Sequence, residues 1–158
     1  LARQIIGIDT VHAHRTPEVA MTHSSTGTAL RVLVVDDSAA LRESVSLALE
    51  REGLTVVGEA ADGAQALVQA AAYRPDVVLM DLRMPGMGGV LATQTIRRRH
   101  PETFVVLWTG DGDLQLASAL RQSGAHAGLL KGIPTAELVA ALRAVCHQHD
   151  FDGVATRG

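Results

Sequence analysis

Three carboxylates, a hydroxyl and an ammonium occupy matching places along this chain: the adjacent pair Asp36-Asp37, then Asp81, Thr109 and Lys131. Each stands at the carboxyl end of a short apolar run. Asp36-Asp37-Ser38 follow Val32–Val35, Asp81 follows Val77–Met80, Thr109 follows Phe104–Trp108, and Lys131 follows Ala127–Leu130. Carboxylates gathered in one place repel one another, so their ionised forms call for a cation. An all-oxygen set with few protein ligands and room for water suits Mg²⁺. Beside such a cation a carboxylate can attack phosphorus as a nucleophile. Phosphoryl transfer then needs in-line placement and neutral surroundings for the equatorial oxygens. Lys131 and the Thr109 hydroxyl can supply the neutralisation and the hydrogen bonds. Asp81 is the central candidate for an acyl phosphate, because its strand is expected mid-sheet, and the acidic pair is the candidate metal anchor.

The elements that must position these groups are legible from Leu30 onward. Apolar runs of strand length alternate with helical stretches, the mark of a parallel sheet covered on both faces. The fold class is therefore α/β, an open doubly wound sheet of five strands. Val32–Val35, Val77–Met80, Phe104–Trp108 and Ala127–Leu130 are apolar at consecutive positions, as strands buried on both faces require. The run from Leu54 to Ala60 is mixed and is expected at an edge. Leu41, Val45, Ala48 and Leu49 give one helix stripe, and Leu138, Ala141, Leu142 and Val145 another. Asp62-Gly63 opens the second helix, Gly124 stops the fourth, and Pro134 suits the first turn of the fifth. Taken singly, each candidate residue has a plainer role. Asp37 or Ser38 can cap the first helix, Asp81 can serve the turn before Pro85-Gly86, Thr109-Gly110 can be loop, and Lys131 a solvated strand end. What sets them apart is that all fall where an open parallel sheet carries its site, beyond the carboxyl ends of its strands.

Composition sets the outer limits. The chain has 158 residues, 47% hydrophobic and 20% charged, with a net charge of −3. This suits one folded domain and gives no electrostatic reason for nucleic-acid binding. The single cysteine, Cys146, excludes an internal disulfide and a thiolate-rich zinc site. No apolar run is long enough to cross a membrane. Residues 1–29 lack an apolar period and read as a flexible leader, with Met21 as an alternative start and His12-x-His14 a solvated pair. Residues 148–158 read as a tail, too short after His147 for a helix-turn-helix. Cys146, His147 and His149 are expected at a frayed end, and Arg97-Arg98-Arg99-His100 at a helix end where cations complement the dipole. Trp108 is expected to pack between sheet and helix.

Between Leu30 and His147 the chain resembles the receiver domains of two-component response regulators, the CheY-like family. The motifs are Val32-Leu33-Val34-Val35-Asp36-Asp37-Ser38, the stretch Val78–Gly89 around Asp81, Trp108-Thr109-Gly110, and Leu129-Leu130-Lys131. In style they are nearest to the NarL/FixJ type. The resemblance implies the flavodoxin-like strand order 2-1-3-4-5. It implies Asp81 as phospho-acceptor, Mg²⁺ on Asp36, Asp37, Asp81 and the Arg83 backbone carbonyl, and Thr109 and Lys131 moving onto the phosphoryl group. It implies a cytoplasmic phosphoprotein whose donor is a phosphohistidine on a sensor histidine kinase or phosphotransfer protein. The added charge would switch a surface of the fourth helix, fifth strand and fifth helix toward an unnamed output protein, with a homodimer possible. Arg83 and Asp111 would pair over the path of water and slow hydrolysis.

Three positions depart from the family pattern. Gly128 stands where a switch aromatic is usual, Gly132 follows Lys131 where many relatives have proline, and Gly88 replaces a frequent acidic residue. The expected function is a stand-alone receiver in a phosphorelay, an acceptor rather than a turnover enzyme, with no direct contact to nucleic acid or membrane. The alternatives are a truncated DNA-binding regulator without its helix-turn-helix domain and a non-phosphorylated scaffold. An aspartate-nucleophile phosphatase would place an Asp-x-Asp pair after the first strand, where this chain has Asp36-Asp37-Ser38.

Overall fold

A computed structural model describes residues 5–6, 27–110 and 112–152. Strands β1 (Ile5–Ile6), β2 (Arg31–Val35), β3 (Thr55–Ala60), β4 (Val77–Asp81), β5 (Phe104–Thr109) and β6 (Ala127–Leu130) form one sheet in the order β1-β6-β5-β4-β2-β3. The five strands from β2 onward are parallel and carry the expected 2-1-3-4-5 order. β3 lies at an edge, as its mixed sequence implied, and every residue of central β4 is buried. Helices α1 (Ala39–Arg51), α2 (Gly63–Tyr73), α3 (Gly89–Arg99), α4 (Asp113–Ser123) and α5 (Thr135–Asp152) follow β2 to β6 in turn.

The period of two along each strand divides the core between the faces. Val34, Leu79, Val106, Trp108 and Leu129 pack with Val45 and Leu49 of α1 and Leu138 and Leu142 of α5. Leu33, Val78, Met80 and Leu107 pack with Ala66 and Ala70 of α2, Ile96 of α3 and Leu116 of α4. Each fully buried leucine contributes about 1.5–3 kcal/mol over an exposed one. Local chemistry sets the helix ends. Ser38 Oγ accepts from Leu41 N at 3.4 Å, and Asp62 Oδ1 accepts from Gln65 N at 2.9 Å. α2 ends on the carbonyls of Tyr73 and Arg74, which take the Arg31 guanidinium at 2.6 and 2.7 Å. α4 stops at Gly124, as expected.

Two boundaries differ from the sequence reading. Residues 1–29 were expected as a flexible leader, yet Ile5 and Ile6 pair antiparallel with Leu129 and Gly128, adding a sixth strand. Two apolar residues make no period, and their partner lies far along the chain, so no local signal marks them. Residues 148–158 were expected as tail, but α5 continues through Asp152. His12, His14 and Met21 lie outside the described residues.

Candidate functional site

The register of the sheet aligns the strand ends. Val35 pairs with Ala60 and Met80, Asp81 with Trp108, and Thr109 with Leu130. Backbone hydrogen bonds extend this order one residue further: Asp36 N donates to Ala60 O at 3.0 Å, Leu82 N to Trp108 O at 3.2 Å, and Lys131 N to Thr109 O at 2.7 Å. The polar residues that close four separate strands are thereby brought to one edge.

Asp36 and Asp81 are both buried, while Asp37 is open to solvent. One carboxylate oxygen from each of the three lies within 4.8 Å of the others. Lys131 Nζ bridges the buried pair, 2.6 Å from Asp36 Oδ2 and 3.2 Å from Asp81 Oδ1. The Asp81 carboxyl is pushed up from 3.8 to about 6. Burial is the largest cause, followed by the negative charge of Asp36, with the Asp37 hydrogen bond adding to it. The charge and hydrogen bond of Lys131 act the other way without cancelling the rise. A carboxylate held against this cost is the kind of group a divalent cation relieves. The donor set is oxygen only, two groups buried and one open, and it fits a hard ion such as Mg²⁺.

Thr109 is buried at the end of β5, beside Trp108, whose ring centroid lies 5.7 Å from Lys131 Nζ. That distance permits a cation–π contact. Trp108 packs in the α1/α5 core, as expected. Arg83 is exposed on the loop after β4. Asp111, its expected partner, lies outside the described residues. Gly89, which opens α3, is required by a close approach: a Cβ there would stand 2.2 Å from the Asp81 carbonyl oxygen. The basic run ends α3, and Arg97 Nε donates to Gly124 O at 3.0 Å, a helix-end role. Cys146 and His147 help line a groove of about 720 Å³ at the other end of the sheet.

One residue near the site was missed from the sequence. Arg42 Nη1 donates to the Asp36 carbonyl oxygen at 2.6 Å. The available signal was a cation at helical spacing with Val45, Ser46 and Leu49, all three of which are buried.

Residues 32–143 match the family described as the response regulator receiver domain. The chain belongs to this family. Over 117 residues the receiver is 43% identical to the response regulator GacA of Pseudomonas viridiflava, covering 73% of this chain and 55% of that protein. It thus spans about half the length of the curated relatives it matches. The signal receiver domain of a NarL response regulator from Mycobacterium tuberculosis is 38% identical, with a TM-score of 0.71 over 77% of this receiver chain and 98% of the other. A CheX–CheY–BeF3–Mg²⁺ complex from Borrelia burgdorferi gives a TM-score of 0.68 at 25% identity, over 73% of this chain and 88% of that one. Among the described residues, no helix of the receiver is long and apolar enough to cross a membrane.

Proposed function

We propose that this receiver accepts a phosphoryl group on Asp81 and works as a phosphorelay switch. The observation that carries the proposal is the convergence of Asp36, Asp37 and Asp81 with Lys131 bridging the two buried carboxylates. The Borrelia complex, with its BeF3 and Mg²⁺, supports the same chemistry for a protein of this fold.

In this reading an Asp81 carboxylate oxygen forms a bond to phosphorus as the bond to the donor nitrogen of a phosphohistidine breaks. The nitrogen leaves with the bonding electron pair. Lys131, already between Asp36 and Asp81, is placed to neutralise charge on the transferred group, and Thr109 to donate a hydrogen bond to it. Asp36, Asp37, Asp81 and the Arg83 carbonyl would hold Mg²⁺, which supplies charge neutralisation on the phosphoryl oxygens. The donor is a sensor histidine kinase or a phosphotransfer protein, and a cytoplasmic site belongs to the same proposal. The chain is an acceptor rather than a turnover enzyme, so it should not cycle a small aryl phosphate. A second reading is that it forms the receiver part of a longer regulator, favoured by relatives nearly twice the matched length.

Intact mass after incubation with acetyl phosphate and Mg²⁺ tests the chemistry. The expected result is a gain of one phosphoryl group in the wild type, absent with Asp81→Ala and absent with EDTA. A folded wild type that gains nothing would count against the switch and for a silent scaffold.

A further inference from the structure

Asp36 is held through its backbone as well as its carboxylate. Its N–H donates to Ala60 O of β3 at 3.0 Å, and its Oδ1 accepts from Ser38 N at 2.8 Å. Its carbonyl accepts from Arg42 Nη1 at 2.6 Å. Arg42 is the one side chain reaching this turn from α1 with a charge-assisted hydrogen bond, among the hydrogen bonds described. The guanidinium also stands in a long ion pair, with no hydrogen bond on its Nε among the described residues. Its Nε faces Glu59 Oε2 of β3 at 3.7 Å, and that carboxylate also accepts from Ser46 Oγ of α1. The Glu59 carbonyl in turn takes Gln69 Nε2 of α2. A polar chain thus runs from α2 through Glu59 and Arg42 to the backbone of the buried aspartate.

We propose that Arg42 is a positioning residue: hydrogen-bonded to the Asp36 carbonyl, with Glu59 in a long ion pair beside it, it fixes the β2–α1 turn so that the Asp36 carboxylate faces both Lys131 and the metal position. The inference rests on the phospho-acceptor reading above and adds to it a residue that touches neither the phosphoryl group nor the cation. Partners that orient a metal ligand commonly control affinity by about tenfold to a hundredfold. A charge effect alone predicts the opposite sign, because removing a cation near the site should tighten Mg²⁺ binding.

The experiment compares wild type, Arg42→Ala, Arg42→Lys and Glu59→Gln. Mg²⁺ affinity is measured by calorimetry on the unphosphorylated protein. Hydrogen exchange of the Asp36 and Ser38 amides is measured without metal, and thermal melts confirm folding. The expected result is Mg²⁺ binding weakened about tenfold in Arg42→Ala, with faster exchange at both amides. Glu59→Gln is read by amide exchange, which should rise to a level between wild type and Arg42→Ala, because losing a carboxylate weakens Mg²⁺ binding by charge alone. Arg42→Lys should recover only part of the affinity, since an ammonium keeps the charge but not the planar fork. Phosphoryl uptake in Arg42→Ala should return at saturating Mg²⁺. Unchanged or tighter Mg²⁺ binding, or unchanged amide exchange, in folded Arg42→Ala would overturn the assignment of Arg42 while leaving Asp81 phosphorylation intact. A wild type that neither binds Mg²⁺ nor gains a phosphoryl group would overturn the functional reading, and this inference with it.

Discussion

At the residue scale, the energetic centre is Asp81. Folding raises its carboxyl from 3.8 to about 6, chiefly through burial and through the charge of Asp36. Between those values the folded state holds a proton that the unfolded chain has released. The stabilising contribution is therefore complete below 3.8 and is lost as the pH rises through 6. Above that, the ionised carboxylate costs about 3 kcal/mol, taking about 1.4 kcal/mol per unit. In metal-free protein, Asp81→Asn should then be more stable than wild type at pH 8, by up to about this amount. The difference should shrink as the pH falls from 7 toward 4. Urea unfolding across that range checks it, and a stability difference that stays flat with pH would show the charge to be costless. Asp81 and its partners were legible because each follows an apolar run. The size of the Asp81 effect was not, because desolvation depends on what α1, α5 and the neighbouring strands place over the strand end.

At the element scale, Gly128 shows how a single position sets a helix in place. A Cβ there would stand 2.7 Å from Leu116 Cδ1 and 2.9 Å from its Cγ. Leu116 is fully buried, so α4 rests on β6 through a side chain seated against the position where a switch aromatic is usual. The departure from the family pattern thus becomes a packing statement: in this chain the β6 position is filled from α4. Gly128→Ala should cost about 1–3 kcal/mol by overpacking, read as a fall in the urea midpoint at constant slope. A stabilised variant would mean that α4 shifts freely over β6. The helix stripes themselves were legible, since Val45, Leu49, Leu138, Ala141, Leu142 and Val145 are buried as their spacing implied. The seat of Leu116 was not, because a glycine in a strand says only that something approaches it.

At the scale of the whole molecule, the sheet has one edge closed by the chain's own N-terminal part. β1 pairs with Leu129 and Gly128, on the strand that leads directly into Lys131. An unpaired strand edge is a template for other chains, and covering it protects the monomer. A version beginning at Met21 should lose protection in the β6 segment, seen as faster hydrogen exchange across Ala127–Leu130 than in the full chain. Equal exchange in the two would mean that β1 contributes no protection to that edge. The opposite edge, β3, was readable from its mixed sequence, whereas this one needed two short segments far apart in the chain to meet.

The sequence by itself determined the order of strands and helices along the chain, the division of the core between two faces and the residues gathered at the strand ends. These follow from periods of 2 and 3.6 and from what stands after each apolar run, all local properties of the chain. The tertiary structure alone decided that Lys131 bridges Asp36 and Asp81, that Arg42 of α1 reaches the Asp36 carbonyl with Glu59 of β3 beside it, and that Ile5–Ile6 extend the sheet. Those contacts join residues from different elements. Their geometry follows from sheet register and helix placement, which no window of sequence contains.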